Sequence, residues 1–205
     1  MQPSIPSRAP TDRDRDAMLE VLTVAFADDP VWGGWAFPAR DRAPAQRRAI
    51  FGLWLDSALR YPGVRLTPRC EAVALWYPPG AIENTEDVEQ LLISTARSVL
   101  GIDAEQFLEI CDLFETTHPQ TEPHYYLSLL GTHDDHRGRG LGMALLRDGL
   151  EQIDRARMPA YLESTNPVNL GRYEQLGFAK IGAFQLPHGG PRVDMMWREP
   201  QGATR

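Results

Sequence analysis

The stretch Leu130 to Leu146, LGTHDDHRGRGLGMALL, concentrates residue types that hold phosphate. Gly138, Gly140 and Gly142 alternate with Arg137, Arg139 and Leu141, where an apolar strand-like run gives way to a helix-like one. Glycine weakens strands and helices alike, so three of them at one junction need a reason. Free N–H groups at a helix start carry partial positive charge, and absent side chains let a pyrophosphate approach the backbone. Two familiar phosphate loops fail on particular residues. The nucleoside-triphosphate loop needs a lysine after its second glycine, and this stretch has none. The dinucleotide pattern G-x-G-x-x-G puts its third glycine on Met143 counted from Gly138, or on Leu145 counted from Gly140. What remains is Arg137-x-x-Gly140-x-Gly142, which is either a backbone cradle for phosphate or a glycine-rich turn with solvated arginines.

The elements around this junction read as one α/β domain over residues 1–205. HYYLSLLGT is a strand running into the glycines, and Leu141, Leu145, Leu146, Leu150 and Ile153 mark the helix leaving them. AYLEST is a short strand. NPVNLGRYEQLG reads as a helix with Asn166 as its cap, Pro167 at the first position and Gly177 as its stop. FAKIGAF and RVDMMWRE form a closing hairpin. Upstream, Thr11 with Asp14 caps a helix whose apolar face is Met18, Leu22, Ala25 and Phe26. A second helix carries Ile50, Phe51, Trp54, Leu55, Ala58 and Leu59. GVRLTP and EAVALWYP read as consecutive strands. Two further helices follow, one with Val88, Leu91, Leu92, Thr95 and Val99, the other with Phe107, Ile110, Cys111 and Phe114. Residues 1–10 hold three prolines and read as a loose leader or first edge strand. Trp32, Trp35 and Phe37 follow no single regular period; an acceptor-pocket wall, core packing and dimer packing are all open to them.

Composition sets outer limits. Of 205 residues, 42% are hydrophobic and 24% charged, which suits a globular protein with a real core. The net charge of −7 argues against nucleic acid as a partner, because phosphate chains need a positive surface. Lys180 is the sole lysine among 21 basic residues. No apolar run approaches the roughly 20 residues of a membrane span, and the N-terminus lacks the apolar core of a secretory signal. The expectation is a soluble, cytoplasmic protein with no membrane partner. Cys70 and Cys111 have no metal or redox spacing and are expected as buried thiols.

The glycine stretch is similar to the coenzyme A signature Arg/Gln-x-x-Gly-x-Gly/Ala of the GNAT superfamily of N-acetyltransferases. Further resemblance lies in AYLEST followed by NPVNLGRYEQLGF, which matches the family's Asn…Tyr-Glu-x-x-Gly-Phe segment. EAVALWYPP, HYYLSLLGTHDDHRGRGLG and the ending MMWREP fall in the order seen in puromycin N-acetyltransferase and its relatives. The similarity is carried by residues 118–200 and, more lightly, by 70–80. Asp134 stands where relatives often have proline, and Thr132 where they usually have valine; neither change removes a backbone donor.

This resemblance implies a single GNAT-type domain: a mixed, mostly antiparallel sheet flanked by helices, with a splayed central strand that binds acetyl-CoA. It implies direct acetyl transfer to a primary amine, with 118–200 as the acetyl-CoA half. The N–H groups from Arg137 to Gly142 would hold the pyrophosphate. Leu130 and Thr132 would act through their backbone on the thioester and pantetheine arm, leaving their side chains free. Tyr173 is the candidate general acid for the departing thiolate, or else a tyrosine packing helix on sheet. Asn169, four residues earlier, would bond the pantetheine arm or a phosphate. Glu163 is the first candidate base, directly or through water, against an exposed strand-end carboxylate as the other reading. His118 and His124 line the acceptor side or serve structure. The resemblance calls for no metal, and HDDH (133–136) reads as a polar loop rather than a ligand set. The expected acceptor is a small-molecule amine, and a homodimer is compatible with this reading. A protein lysine or N-terminus as acceptor, and a non-catalytic acyl-CoA sensor, remain as alternatives.

Overall fold

Ala72–Tyr77 (β2) is buried at every position, as an apolar run demands of a strand covered on both faces. In the computed structural model, which describes residues 6–202, this strand lies inside a six-stranded sheet. It pairs antiparallel with Arg65–Leu66 (β1) and with Tyr125–Thr132 (β3). Strand β3 runs parallel to Ala160–Ser164 (β4), which pairs antiparallel with Arg192–Arg198 (β6). The hairpin partner of β6 is Ala179–Gln185 (β5), giving the order β1-β2-β3-β4-β6-β5. The sheet is mixed and mostly antiparallel.

The parallel pair is where the sheet opens. Only Tyr125↔Ala160 and Tyr126↔Tyr161 are in register between β3 and β4, and beyond them the strands part. A bulge adds to the divergence: Leu75 faces Leu129 while Trp76 faces Leu127, so Ser128 is the extra residue on β3.

Helices Arg15–Ala25 (α1), Ala43–Ala58 (α2), Glu86–Leu100 (α3) and Ala104–Thr117 (α4) contribute to one core, with Leu22, Phe51, Leu55, Leu75 and Phe107 at its centre. Leu141–Arg155 (α5), the crossover between the parallel strands, builds a second core from Leu145, Leu146, Leu150, Trp76 and Met196. The short helix Leu170–Glu174 (α6) borders that core through Tyr173.

Several expectations change in detail. The Thr11–Asp14 box is present, but it opens a 3-10 turn at Asp12–Asp14 ahead of α1. Pro30–Trp35 is a π-helical turn, which explains why its aromatics follow no usual period. Trp32 and Phe37 are core residues, and Trp32 meets the Trp54 ring edge-on at 5.1 Å. The face of α3 that is buried is Leu92, Ala96 and Leu100, whereas Leu91 is half exposed. The expected 166–177 helix is a 3-10 turn, Pro167–Asn169, followed by the five residues of α6, with Asn166 Oδ1 accepting from the Val168 N–H. Arg8 bridges to Leu66 beside β1, and residues 1–5 of the expected leader lie outside the described residues.

One buried ion pair fixes the end of α6. Arg198 on β6, 4% exposed, donates to both Asp154 carboxylate oxygens at 2.7 and 2.8 Å and to the Leu176 carbonyl at 2.7 Å. Burial works to raise the Asp154 pKa, but the Arg198 bonds outweigh it and hold the carboxyl below its ordinary value. The stability this group adds is therefore present above the unfolded carboxylate pKa and is lost as pH falls through the folded one. Asp154→Ala leaves the guanidinium unanswered and is expected to cost about 3 kcal/mol in urea unfolding at pH 7.

Candidate active site

The junction after β3 shows why its glycines are there. Gly138 (φ +77°) and Gly140 (φ +74°) both adopt the left-handed conformation that side chains disfavour. Gly140 is the N-cap of α5, and the first helical bond runs from the Ala144 N–H to its carbonyl at 2.9 Å. Among the described residues, the N–H groups from Gly138 to Met143 find no acceptor. A Cβ at Gly138 would meet nothing within 4 Å. The backbone thus presents a row of unanswered donors with space in front of it, which fits a phosphate group.

Gly142 has a different reason. A Cβ there would lie 2.7 Å from Thr132 Oγ1, so this glycine lets α5 approach the end of β3. The Thr132 side chain is accordingly not free, contrary to expectation, because it packs against the helix start. Arg137 departs from expectation: its N–H donates to the Asp134 carbonyl at 3.2 Å, so the free row starts only at Gly138, and its guanidinium is engaged as well. It donates to the Ala25 carbonyl at 2.7 Å and pairs with Asp134 at 2.8 Å, tying the loop to the end of α1. Asp134, the departure from the usual proline, is thereby used. Arg139 is exposed and reaches the Asp135 carbonyl and His136 Nδ1 at 3.4 Å each. His133 Nδ1 accepts from the Asp135 N–H, so HDDH is knitted into its own turn.

Behind the loop, the splay between β3 and β4 opens into a cavity of about 530 Å³. Leu130, Glu163, Asn169 and Tyr173 all line it, while Thr132 and residues 137–142 belong to the segment that continues β3 beyond it. The Tyr173 phenol is pushed up to about 12, by burial first and then by the charge of Asp29. It keeps its proton at any working pH. Asn169 Oδ1 accepts from Arg172 Nη1 at 3.0 Å. Asp29 takes a hydrogen bond from the Thr165 hydroxyl at 2.7 Å and caps the π-helical turn through the Val31 and Trp32 N–H groups, and burial raises its pKa.

Glu163 is not the exposed strand-end carboxylate of the other reading. Its side chain is 3% exposed, and its Oε1 has no hydrogen-bond partner among the described residues. His118 Nδ1 lies 3.6 Å from that oxygen. The two histidines form a chain behind it. His124 Nδ1 is 2.6 Å from the Glu122 carbonyl and must donate to it, so in the neutral ring Nε2 accepts. His118 Nε2, 3.0 Å away, is then the donor, which leaves the lone pair of His118 Nδ1 facing Glu163. Burial pushes the His124 pKa down, which keeps this ring neutral at pH 7.

The sequence reading missed Glu83. It sits between β2 and α3, and its Oε1 accepts from the Ser128 hydroxyl at 2.5 Å. The segment is pinned from α2 and the turn after it: the Ser57 hydroxyl donates to the Glu83 carbonyl, and the Tyr61 hydroxyl bonds both the N–H and the carbonyl of Ile82 at 3.1 Å. Burial lifts the Glu83 carboxyl to about 7; the Ser128 bond works against this, and the nearby charge of Glu163 adds to it. In AIENTED nothing separates Glu83 from the acids that open a helix, and the bulge that brings Ser128 to it is a pairing between distant strands.

The arrangement sets a proton-holding phenol and an unpartnered buried carboxylate on one cavity, next to a row of free N–H donors. Comparison with known proteins agrees with this anatomy. Residues 76–178, half of the chain, match the model of the Acetyltransferase (GNAT) family. Among solved structures, a histone acetyltransferase HPA2 and related acetyltransferase from Corynebacterium glutamicum is 25% identical with a TM-score of 0.68, each chain covered in full. An agmatine N-acetyltransferase is 16% identical with a TM-score of 0.64, over 96% of this chain and 100% of the other. Arylalkylamine N-acetyltransferase 2 from Aedes aegypti is 15% identical with a TM-score of 0.56, over 96% and 99%. With its splayed parallel pair and its sequence match over half its length, the chain belongs to the GNAT family of acetyl-CoA-dependent acetyltransferases.

Proposed function

We propose that this enzyme acetylates a primary amine of a small molecule, working as one domain in the cytoplasm. The observation that carries this reading is the shared cavity: Glu163 presents a free buried oxygen, and Tyr173 presents a phenol that keeps its proton. The N–H groups of 138–143 and the space over Gly138 suit the pyrophosphate of acetyl-CoA, whose thioester supplies the acetyl group. The backbone of Leu130, on the parted edge of β3, is placed to bond the arm, and a fixed donor there stabilises developing charge on a carbonyl oxygen. Glu163 takes the proton from the arriving ammonium, and Tyr173 gives one to the departing sulfur. One C–N bond forms, one C–S bond breaks, and no acyl group rests on the protein.

Thiol release from acetyl-CoA tests this, run against phenethylamine, agmatine, puromycin and a lysine peptide. Puromycin is included because segments 71–79, 124–142 and 160–178 resemble its acetyltransferase. Release is expected with at least one small amine and at a higher kcat/KM than with the peptide. The name carried by the 25% identical structure favours a protein lysine as the second reading, and a preference for the peptide would establish it. Acetyl-CoA binding with no release on any amine would make the protein a sensor.

A further inference from the structure

The cavity has a charge pattern that restricts what enters it. Asp29, Glu83, Glu115, Glu122 and Glu163 line it, and among the described residues no lysine or arginine does. Aromatic side chains line it as well, among them Phe26, Trp32, Trp54, Phe114 and Tyr126. Two of the carboxyls are built into the floor. Glu163 is 3% exposed with one oxygen unpartnered, and Glu83 is clamped on the Ser128 hydroxyl by a segment that Ser57 and Tyr61 hold at three points. Buried acids without a cation are costly, and two together cannot both ionise cheaply.

We propose that Glu83 and Glu163 together receive the ammonium of the acceptor, and that the acceptor is an amine with an apolar body and no carboxylate of its own. This rests on the acetyl-transfer reading above. The two acids divide the work. Glu83, held by Ser128, becomes the counter-charge when an arriving cation displaces its proton, so it sets affinity for the cation. Glu163, with its free oxygen, takes the proton. An α-amino acid meets five acidic side chains and, among the described residues, no lysine or arginine, so its own carboxylate has no fixed cation to pair with in such a cavity. The high pKa of Glu83 agrees with a proton held there until a cation replaces it.

Phenethylamine against phenylalanine is the direct test, because the two differ by the carboxylate alone. The amine is expected to exceed the amino acid by about 100-fold in kcat/KM, the scale of a buried charge left unpaired. Agmatine, a dication with a short alkyl chain in place of an aromatic body, is expected to fall below phenethylamine. Glu83→Gln keeps the shape and a partner for Ser128 while removing the charge. It is expected to raise KM for phenethylamine about tenfold and to leave KM for acetyl-CoA within about twofold. Ser128→Ala, which leaves both acidic side chains in place, should retain the preference over phenylalanine. The proposal is overturned if phenylalanine matches phenethylamine, if agmatine surpasses it, or if Glu83→Gln leaves the amine KM unchanged. A parallel rise in both KM values would also overturn it, by reducing Glu83 to a structural role. Absence of thiol release from the wild-type enzyme on every amine would instead defeat the acetyl-transfer reading itself.

Discussion

Tyr173→Phe is expected to lower kcat about 100-fold while KM for acetyl-CoA stays within about twofold, the signature of a lost proton donor. The departing sulfur is the poorest participant in the reaction, since it must leave as a thiolate or take a proton on the way. A free thiol has a pKa near ~8.5, and the burial that lifts the Tyr173 phenol to about 12 lifts a thiolate beside it as well. A thiolate desolvated there is a stronger base than in water, and it takes up a proton as it leaves. Asp29 adds negative charge near the phenol and secures its proton further. Because that proton is held up to about pH 12, Tyr173 should put no alkaline limb on kcat below pH ~10. Phenylalanine keeps the edge-on contact with Phe178, 6.1 Å between centroids, so the variant should fold with its α6 packing intact. A single-turnover rate equal to wild type would remove Tyr173 from the chemistry and leave it as packing.

Much of this anatomy was readable in the residues, and what was not has physical reasons. Strands and helices announced themselves by period, and the glycines by alternating at a strand–helix junction, where Gly138 and Gly140 prove to need a left-handed backbone. Gly142 looked like the same device but exists for a helix–strand contact with Thr132, which depends on how α5 packs. Arg137 was legible as a charge, yet its partners come from 112 residues upstream and from a position where relatives often have proline. The aromatic run 32–37 defied periodicity because a π-helical turn has a period that neither strand nor α-helix templates test. The roles of Tyr173 and Asn169 came from the family resemblance, and the fold then set both on one cavity. Glu83 was invisible. Its importance is made by a bulge on β3, the hydroxyls of Ser57 and Tyr61 and the desolvation that they enforce, none of which is a local property of AIENTED.

Glu163→Gln is expected to be the other large loss, about 100-fold in kcat/KM at pH 7, with a change in pH dependence that separates chemistry from packing. An aliphatic amine with a pKa near ~10 reaches the enzyme as an ammonium, and it must shed a proton before its lone pair is available. In the wild type a buried carboxylate takes that proton, so kcat/KM should not track the fraction of neutral amine as pH rises. With glutamine in its place only the neutral amine is productive. Its fraction grows about tenfold per pH unit below its pKa, and the variant's kcat/KM should climb with that slope. The deficit against wild type then narrows as pH rises. Glutamine preserves volume in a side chain that is 3% exposed, and Oε1 of Glu163 has no hydrogen-bond partner to lose. His118, 3.6 Å away with its lone pair turned towards Glu163, gives the proton a next station, whereas Glu83 is committed to Ser128 and offers no equivalent route. A uniform loss at every pH would mean that Glu163 only shapes the cavity, and the proton would then have to leave through His118 directly.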